Sequence, residues 1–233
     1  MDDPLERNSL LMQAPRTEYV QFAPHLETVS LPSGTVICAP QATMTHVHFP
    51  QSGVISIVGG SPSNRVETSI IGRSGFLGIS VLLGGANSIH GAGAQVSGEA
   101  KRMPADLFIH LLAKTPRLRQ LLYRYAYAQL ETVQQLAACN ILHLVEQRCA
   151  RWILMATDQM GDTPYYLTQA YLAQMLGVRR AGVTTVASVL QHGGMIEYRR
   201  GKMTLLDRPA LEQVTCGCYK TICGITKQLL ALT

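Results

Sequence analysis

Two basic runs carry the densest chemistry in the sequence: Arg179-Arg180 and Arg199-Arg200-Gly201-Lys202. Guanidinium groups pair bidentately with phosphate oxygens or with the edge of guanine, and a Lys ammonium meets phosphate as a point charge. Around them stand hydroxyl and amide side chains at Thr168, Gln169, Thr184, Thr185 and Ser188. These types reach base edges and backbone phosphates without adding charge. Residues 161–233 hold eight Lys and Arg against four Asp and Glu, so most of the net charge of +5 sits there. That balance favours a polyanionic partner, although +5 over 233 residues is mild.

The elements needed to present these groups are legible nearby. Thr168 can cap a helix opening at Gln169, with Tyr171, Leu172, Met175 and Leu176 as its inward stripe and small Ala173 where another helix could cross. Gly177 stands where the chain must turn, a conformation glycine adopts without steric cost. A second helix is expected from Arg180 to Gln191. It turns Val183, Val186 and Leu190 inward and Arg180, Thr184, Thr185, Ser188 and Gln191 outward, and Gly193-Gly194 ends it. This is a helix-turn-helix pattern, whose second helix enters the DNA major groove. Met195–Tyr198 and Met203–Leu206 then alternate as strands around the basic turn. Either feature alone has a bland reading, as an ordinary helix pair or a solvated turn. In tandem they read as a winged helix whose outward Arg and hydroxyl groups reach bases while the wing cations neutralise phosphates.

Upstream, the texture changes twice. From about residue 24 to 105, short apolar runs alternate with Pro and Gly turns, as in an all-β sandwich or barrel. Pro104 opens a short helix, with Leu107, Leu111 and Leu112 on one face. Pro116 opens a longer one, expected to run to about Thr157. Along it Leu118, Tyr125, Thr132 and Cys139 recur every seven residues, and Leu122, Gln129, Leu136 and His143 recur likewise four places later. Such a register suits a helix packed on its own domain as well as a parallel two-helix dimer seam. The expected organisation is therefore a tail or short helix over 1–23, a β domain over 24–115, a long helix over 116–157 and a winged helix with a C-terminal helix over 158–233, with a linker opening at Gly161-Asp162-Thr163-Pro164. No run of 18 apolar residues suggests a membrane span, and the acidic start Met1–Glu6 does not resemble a secretory signal. The six cysteines then read as cytoplasmic thiols.

The stretch Leu167-Thr168-Gln169-Ala170-Tyr171-Leu172-Ala173-Gln174-Met175-Leu176-Gly177-Val178-Arg179-Arg180 through Leu190 resembles the DNA-binding pattern of the Crp/Fnr superfamily of transcription regulators, and Gly34 to Val58, including His48-Phe49-Pro50-Gln51-Ser52-Gly53, resembles its β-roll. The likeness spans about residues 24–207. It implies an α+β fold: an N-terminal cyclic-nucleotide-binding-like β-roll, a long dimerisation helix and a C-terminal winged helix-turn-helix. It also implies a homodimer on inverted-repeat operators in double-stranded DNA, with RNA polymerase as a further partner where the protein activates. It turns the long helix toward a dimer seam of Leu118, Leu122, Tyr125, Gln129, Thr132, Leu136 and Cys139. The DNA-contacting set it implies is Thr168, Gln169, Arg179, Arg180, Ala181, Thr184, Thr185, Ser188, Arg199, Arg200 and Lys202.

The sequence also departs from that family. Cyclic-nucleotide members place a ribose-binding Glu and a phosphate-binding Arg where this chain has Ile79 and Ile89, in Gly75-Phe76-Leu77-Gly78-Ile79-Ser80 and Asn87-Ser88-Ile89-His90-Gly91. Apolar groups cannot replace a bidentate cation on a phosphate. This argues against cAMP and leaves Gly78, Ile79, Ser80, Ile89 and His90 as a degenerate pocket, open to an apolar effector or serving only as scaffold. None of the first 37 residues is Cys, which argues against the family's N-terminal iron–sulfur cluster. In the reading helix Arg179 takes the cap position, Arg180 matches the family's first Arg, Ala181 replaces its Glu and Thr185 its later Arg, so the half-site should differ. Cys216-Gly217-Cys218 with Cys223 resembles a partial metal or redox cluster but reads as buried or idle thiols; His46 and His48 share a strand face, yet two ligands do not make a site; and Cys139 with His143 at i, i+4 could offer metal ligands but reads as a packed seam. No catalytic constellation stands out, so an enzyme is not expected. The main alternative is a sensing module whose winged helix docks protein rather than DNA.

Overall fold

The computed structural model describes residues 6–61, 64–85, 87–160 and 164–230. The linker expected at Gly161-Asp162-Thr163 and residues 1–5 lie outside the described residues. Two short helices, α1 (Ser9–Gln13) and α2 (Arg16–Phe22), precede the sheets. They are packed rather than tail-like: Leu10 and Phe22 are fully buried, and the amide of buried Asn8 donates to the carbonyls of Pro50 (3.0 Å) and Gly75 (2.8 Å).

The β domain contains β1 (Glu27–Leu31), β2 (Val36–Cys38), β3 (His46–Pro50), β4 (Val54–Ser61), β5 (Asn64–Ile71), α3 (Ile79–Leu82), β6 (Gly91–Val96), β7 (Gly98–Pro104) and α4 (Ala105–Leu112). Its strands form two antiparallel sheets, ordered β1-β7-β3 and β2-β6-β4-β5. Alternating side chains meet between them, where Phe49 stacks on Phe76 at 5.5 Å and Phe76 touches Tyr125 of the next helix at 5.3 Å. This is the β-roll architecture expected from the short, evenly punctuated strands.

Next come α5 (Pro116–Leu142) and α6 (Val145–Met160). The long helix expected to reach Thr157 ends instead at Leu142, because His143 is extended (φ −112°, ψ 151°) and caps α5 with an N–H bond to the Cys139 carbonyl, 3.1 Å. No Pro or Gly marks the break in sequence. It is imposed by packing, since Cys149, Trp152, Ile153 and Leu154 of α6 are buried in the same core as Leu172, Val183 and Leu190 downstream. The helix α6 is thus the first element of the C-terminal domain, followed by β8 (Tyr165–Tyr166), α7 (Gln169–Leu176), α8 (Arg180–His192), β9 (Ile196–Arg199), β10 (Lys202–Leu205), α9 (Arg208–Val214) and α10 (Cys218–Leu230). Among the described residues, no helix is long and apolar enough to cross a membrane.

The seven residues read as a dimer seam need correcting. Leu118, Leu122, Tyr125, Thr132, Leu136 and Cys139 are buried within the chain, and Gln129 is half-buried against β5, bonding Ser69 and Tyr125. The heptad stripe packs on the β-roll, α6 and α10 of its own chain. Another face of α5 leaves Tyr123, Tyr127, Leu130, Val133 and Ile141 exposed, and Leu142 at its last position is exposed as well.

Candidate nucleic-acid interface

Local chemistry sets the geometry of α7 and α8. Thr168 accepts the N–H of Tyr171 at 3.2 Å, which caps α7. Gly177 takes the left-handed conformation (φ 64°, ψ 36°) that ends α7, and its N–H returns to the Gln174 carbonyl. Arg179 is extended and opens α8 without a side-chain cap, so the orphan N–H groups of the first turn and their positive dipole end face outward beside two guanidinium groups. Buried Val183, Ala187 and Leu190 hold α8 against α6 and α7.

The opposite face of α8 is open. Arg179, Arg180, Ala181, Thr184, Thr185 and Ser188 are all exposed, as is Thr168, and Gln169 is half-buried. The Thr184 hydroxyl lies 2.8 Å from the Gln169 side-chain amide oxygen Oε1 and ties the start of α7 to α8. The Thr185 hydroxyl donates to the Ala181 carbonyl at 3.1 Å, which leaves its lone pairs facing solvent as acceptors.

Strands β9 and β10 pair antiparallel from Ile196↔Leu205 to Arg199↔Lys202, and β8 adds to the other edge of β10. Arg200 and Gly201 both have positive φ (52° and 76°), the signature of a tight two-residue hairpin turn. Arg199, Arg200 and Lys202 are exposed, and none of the five candidate cations forms an ion pair among the described residues. Arg208, by contrast, is engaged by Asp158, Glu212 and Tyr219, so its charge is already answered. All eleven residues read from sequence as DNA-contacting are therefore brought onto the helix-turn-helix and its wing. Tyr166, paired opposite Lys202, and Val189 on α8 are further large side chains exposed on or beside these elements.

The second candidate site lies in the β-roll. A cavity of about 620 Å³ is lined by Gly78, Ile79, Ser80 and His90, together with Ile57, Phe76 and the α5 residues Tyr123, Tyr127, Leu130 and Val133. Four of the five sequence-derived pocket residues are thus present. Ile89 is not among them, because it is 78% exposed; His90, though also exposed, lines the cavity. No Arg or Lys stands among the described lining residues.

The two domains meet at a buried carboxylate. Glu67 of β5 accepts from the indole N–H of Trp152 at 2.6 Å, and Ser56 bridges Glu67 and Gln95. Burial raises the Glu67 carboxyl from its ordinary 4.5 to about 7, against the opposing pull of its hydrogen bonds and Arg151.

A Crp-like helix-turn-helix domain model matches residues 147–214, beginning within α6 as the packing requires. Among solved structures, FixK2 from Bradyrhizobium japonicum superposes with a TM-score of 0.70 at 12% identity, over 82% of this chain and 98% of that one. A putative transcriptional regulator of the Crp/Fnr family from Eubacterium rectale gives 0.66 at 18% identity, over 88% and 97%. The c-di-GMP-responsive global regulator CLP of Xanthomonas campestris gives 0.64 at 14% identity, over 83% and 100%. No curated protein sequence matches this chain. Residues 147–214 thus hold a Crp-like helix-turn-helix domain, and the chain as a whole shares the fold of those structures, a β-roll, a long helix and a helix-turn-helix in the same order.

Proposed function

We propose that the protein is a sequence-specific regulator of transcription that binds inverted-repeat DNA as a homodimer through α8 and the β9–β10 wing, and that cAMP does not control it. The observation that carries this reading is the open face of α8 and the wing: five cations without carboxylate partners, set beside hydroxyl groups. Arg180 is assigned to a base edge, and Arg179, Arg199, Arg200 and Lys202 to phosphates.

The exposed α5 face of Tyr123, Tyr127, Leu130, Val133 and Ile141 supports a dimer seam, since a contiguous apolar strip on a helix marks an interaction surface. Half-sites one helical turn apart, about 34 Å, would then meet the two copies of α8. The cavity supports an apolar effector over a cyclic nucleotide, because none of its described lining residues can neutralise a phosphate. Its α5 wall is the proposed seam itself, so a ligand there would bear on the pairing of the two chains.

Affinity for an operator, measured across salt concentrations, tests the assignment. Ten phosphate contacts per dimer would give a slope of log K against log salt near −9, at roughly −0.9 each, and assigning Arg180 to a base brings it to about −7. Arg180→Ala should erase the preference between operator and random duplex. Arg200→Ala should weaken both alike and flatten the slope by about 2. A slope near zero on the operator would overturn DNA reading and favour the alternative, a winged helix that docks protein.

A further inference from the structure

Three cysteines form a small buried cluster apart from both main cores: Cys139, Cys216 and Cys218. Cys139 is in the last turn of α5. Cys216 lies between α9 and α10, and Cys218 is the first residue of α10. Because Cys216 is outside the helix, the two thiols of Cys216-Gly217-Cys218 both turn toward α5. His143, the residue that breaks α5 from α6, brings its imidazole to the same point. The sequence presents these as two unrelated pairs some seventy residues apart, and the packing of α10 along α5 joins them.

The four donor atoms lie within 4.8 Å of one another. Cys139 Sγ is 3.4 Å from Cys216 Sγ, and Cys218 Sγ is 3.6 Å from His143 Nδ1. Tetrahedral zinc, with bonds of about 2.3 Å to sulfur and 2.0 Å to nitrogen, needs sulfur–sulfur separations of about 3.8 Å and sulfur–nitrogen separations of about 3.5 Å. The surroundings also fit. The Gln135 amide donates to Cys218 Sγ at 3.1 Å, as an outer partner that orients a ligand would. Arg151 is buried, its guanidinium bonds Asn140 at 3.3 Å and acts on Glu67 as well as on Cys139 and Cys216, and it forms no ion pair among the described residues. A buried guanidinium calls for a nearby negative charge. Three thiolates and a neutral imidazole on a divalent cation carry a net charge of −1.

We propose that Cys139, His143, Cys216 and Cys218 form a tetrahedral binding site for zinc. Thiolate-rich, nitrogen-completed donor sets select this borderline-soft ion over magnesium or calcium. Each zinc bound displaces three thiol protons, leaves the imidazole neutral and forms three Zn–S bonds and one Zn–N bond. The site bolts the end of α5 to the start of α10 across the α5–α6 break, the one place where the long helix hands over to the DNA-binding domain. Metal occupancy would therefore fix the angle at which that domain leaves the dimer helix. This last consequence rests on the DNA-binding reading; the metal site itself does not.

The test uses the full-length chain, purified anaerobically with reductant. Elemental analysis should give one zinc per chain. Cobalt exchanged for zinc should show thiolate-to-metal charge transfer in the near ultraviolet and the visible bands of tetrahedral Co²⁺. Cys216→Ser and Cys139→Ser should lose stoichiometric metal, while Cys38→Ser and Cys149→Ser, buried thiols outside the cluster, should keep it. Should the ligand variants fail to fold, alkylation of the unaltered protein with and without zinc decides, since zinc must protect Cys139, Cys216 and Cys218 selectively. Absence of tetrahedral cobalt bands, equal alkylation with and without zinc, or a Cys139–Cys216 disulfide in the anaerobic protein would overturn the proposal. With the metal site confirmed, chelation that left operator affinity unchanged would overturn only its coupling to the DNA-binding domain.

Discussion

Replacing Glu67 by glutamine should stabilise this protein above pH 7 and leave it no more stable near pH 4.5. Glu67 sits where the β-roll meets the C-terminal domain, and its carboxyl is pushed up to about 7 by burial. The unfolded chain releases this proton near 4.5. Between the two values the native state holds a proton that the unfolded state has lost, so stability falls as pH rises through that window and levels off above it. A displacement of about 2.5 pH units corresponds to about 3 kcal/mol, an order-of-magnitude figure for a fully buried group. A neutral amide keeps an acceptor for the Trp152 indole N–H and never ionises. Urea unfolding of both proteins at pH 5 and pH 8 reads the difference. Glutamine should gain up to about 3 kcal/mol over glutamate at pH 8, or roughly 6–12 °C in Tm, with the gap shrinking toward pH 5. If both proteins showed the same pH dependence, Glu67 would be ionised in the native state and the role given to burial would be wrong.

His48 should act with the opposite sign. Burial, aided by the Arg102 and His46 charges, lowers it from 6.5 to about 4, so the stability it contributes above pH 6.5 is lost as pH falls toward 4. His48→Gln should remove about 3 kcal/mol of that acid loss, visible in urea unfolding between pH 7 and pH 4.5. Arg200 holds φ +52° in the wing turn, a conformation asparagine tolerates better. Arg200→Asn should therefore hold or raise Tm, by up to about 1 kcal/mol of stability, while weakening binding to every duplex; lost affinity with a lowered Tm would point to a misfolded wing instead. Leu130→Arg places a charge in both copies of the proposed seam. At ~2 kcal/mol per copy the dimer should weaken roughly 1,000-fold, which light scattering across protein concentration would show.

The helix-turn-helix was legible because its determinants are local. Thr168 caps the N–H of a residue three positions on, Gly177 occupies a conformation closed to most side chains, and the apolar spacing of α8 states which face turns inward. The basic wing followed from a turn and the strands on either side of it. Short strands broken by Pro and Gly likewise announced the two-sheet β-roll.

Other features depended on which surface each element met. A heptad stripe on α5 states that one face is apolar, not whether its partner is the same chain; α10 and the β-roll cover that stripe, and Tyr127 and Leu130 are left outside. The α5–α6 break at His143 has no sequence marker, because α6 bends away to reach the core of α7 and α8. Ile89 stands at a position the family resemblance places in the pocket, and in the fold it is exposed. The gathering of Cys139, His143, Cys216 and Cys218 shows the division most clearly. Periodicity reports neighbours within a helix turn or a hairpin, whereas contacts between segments some seventy residues apart are set by the joint packing of many side chains, and only the folded chain decides them.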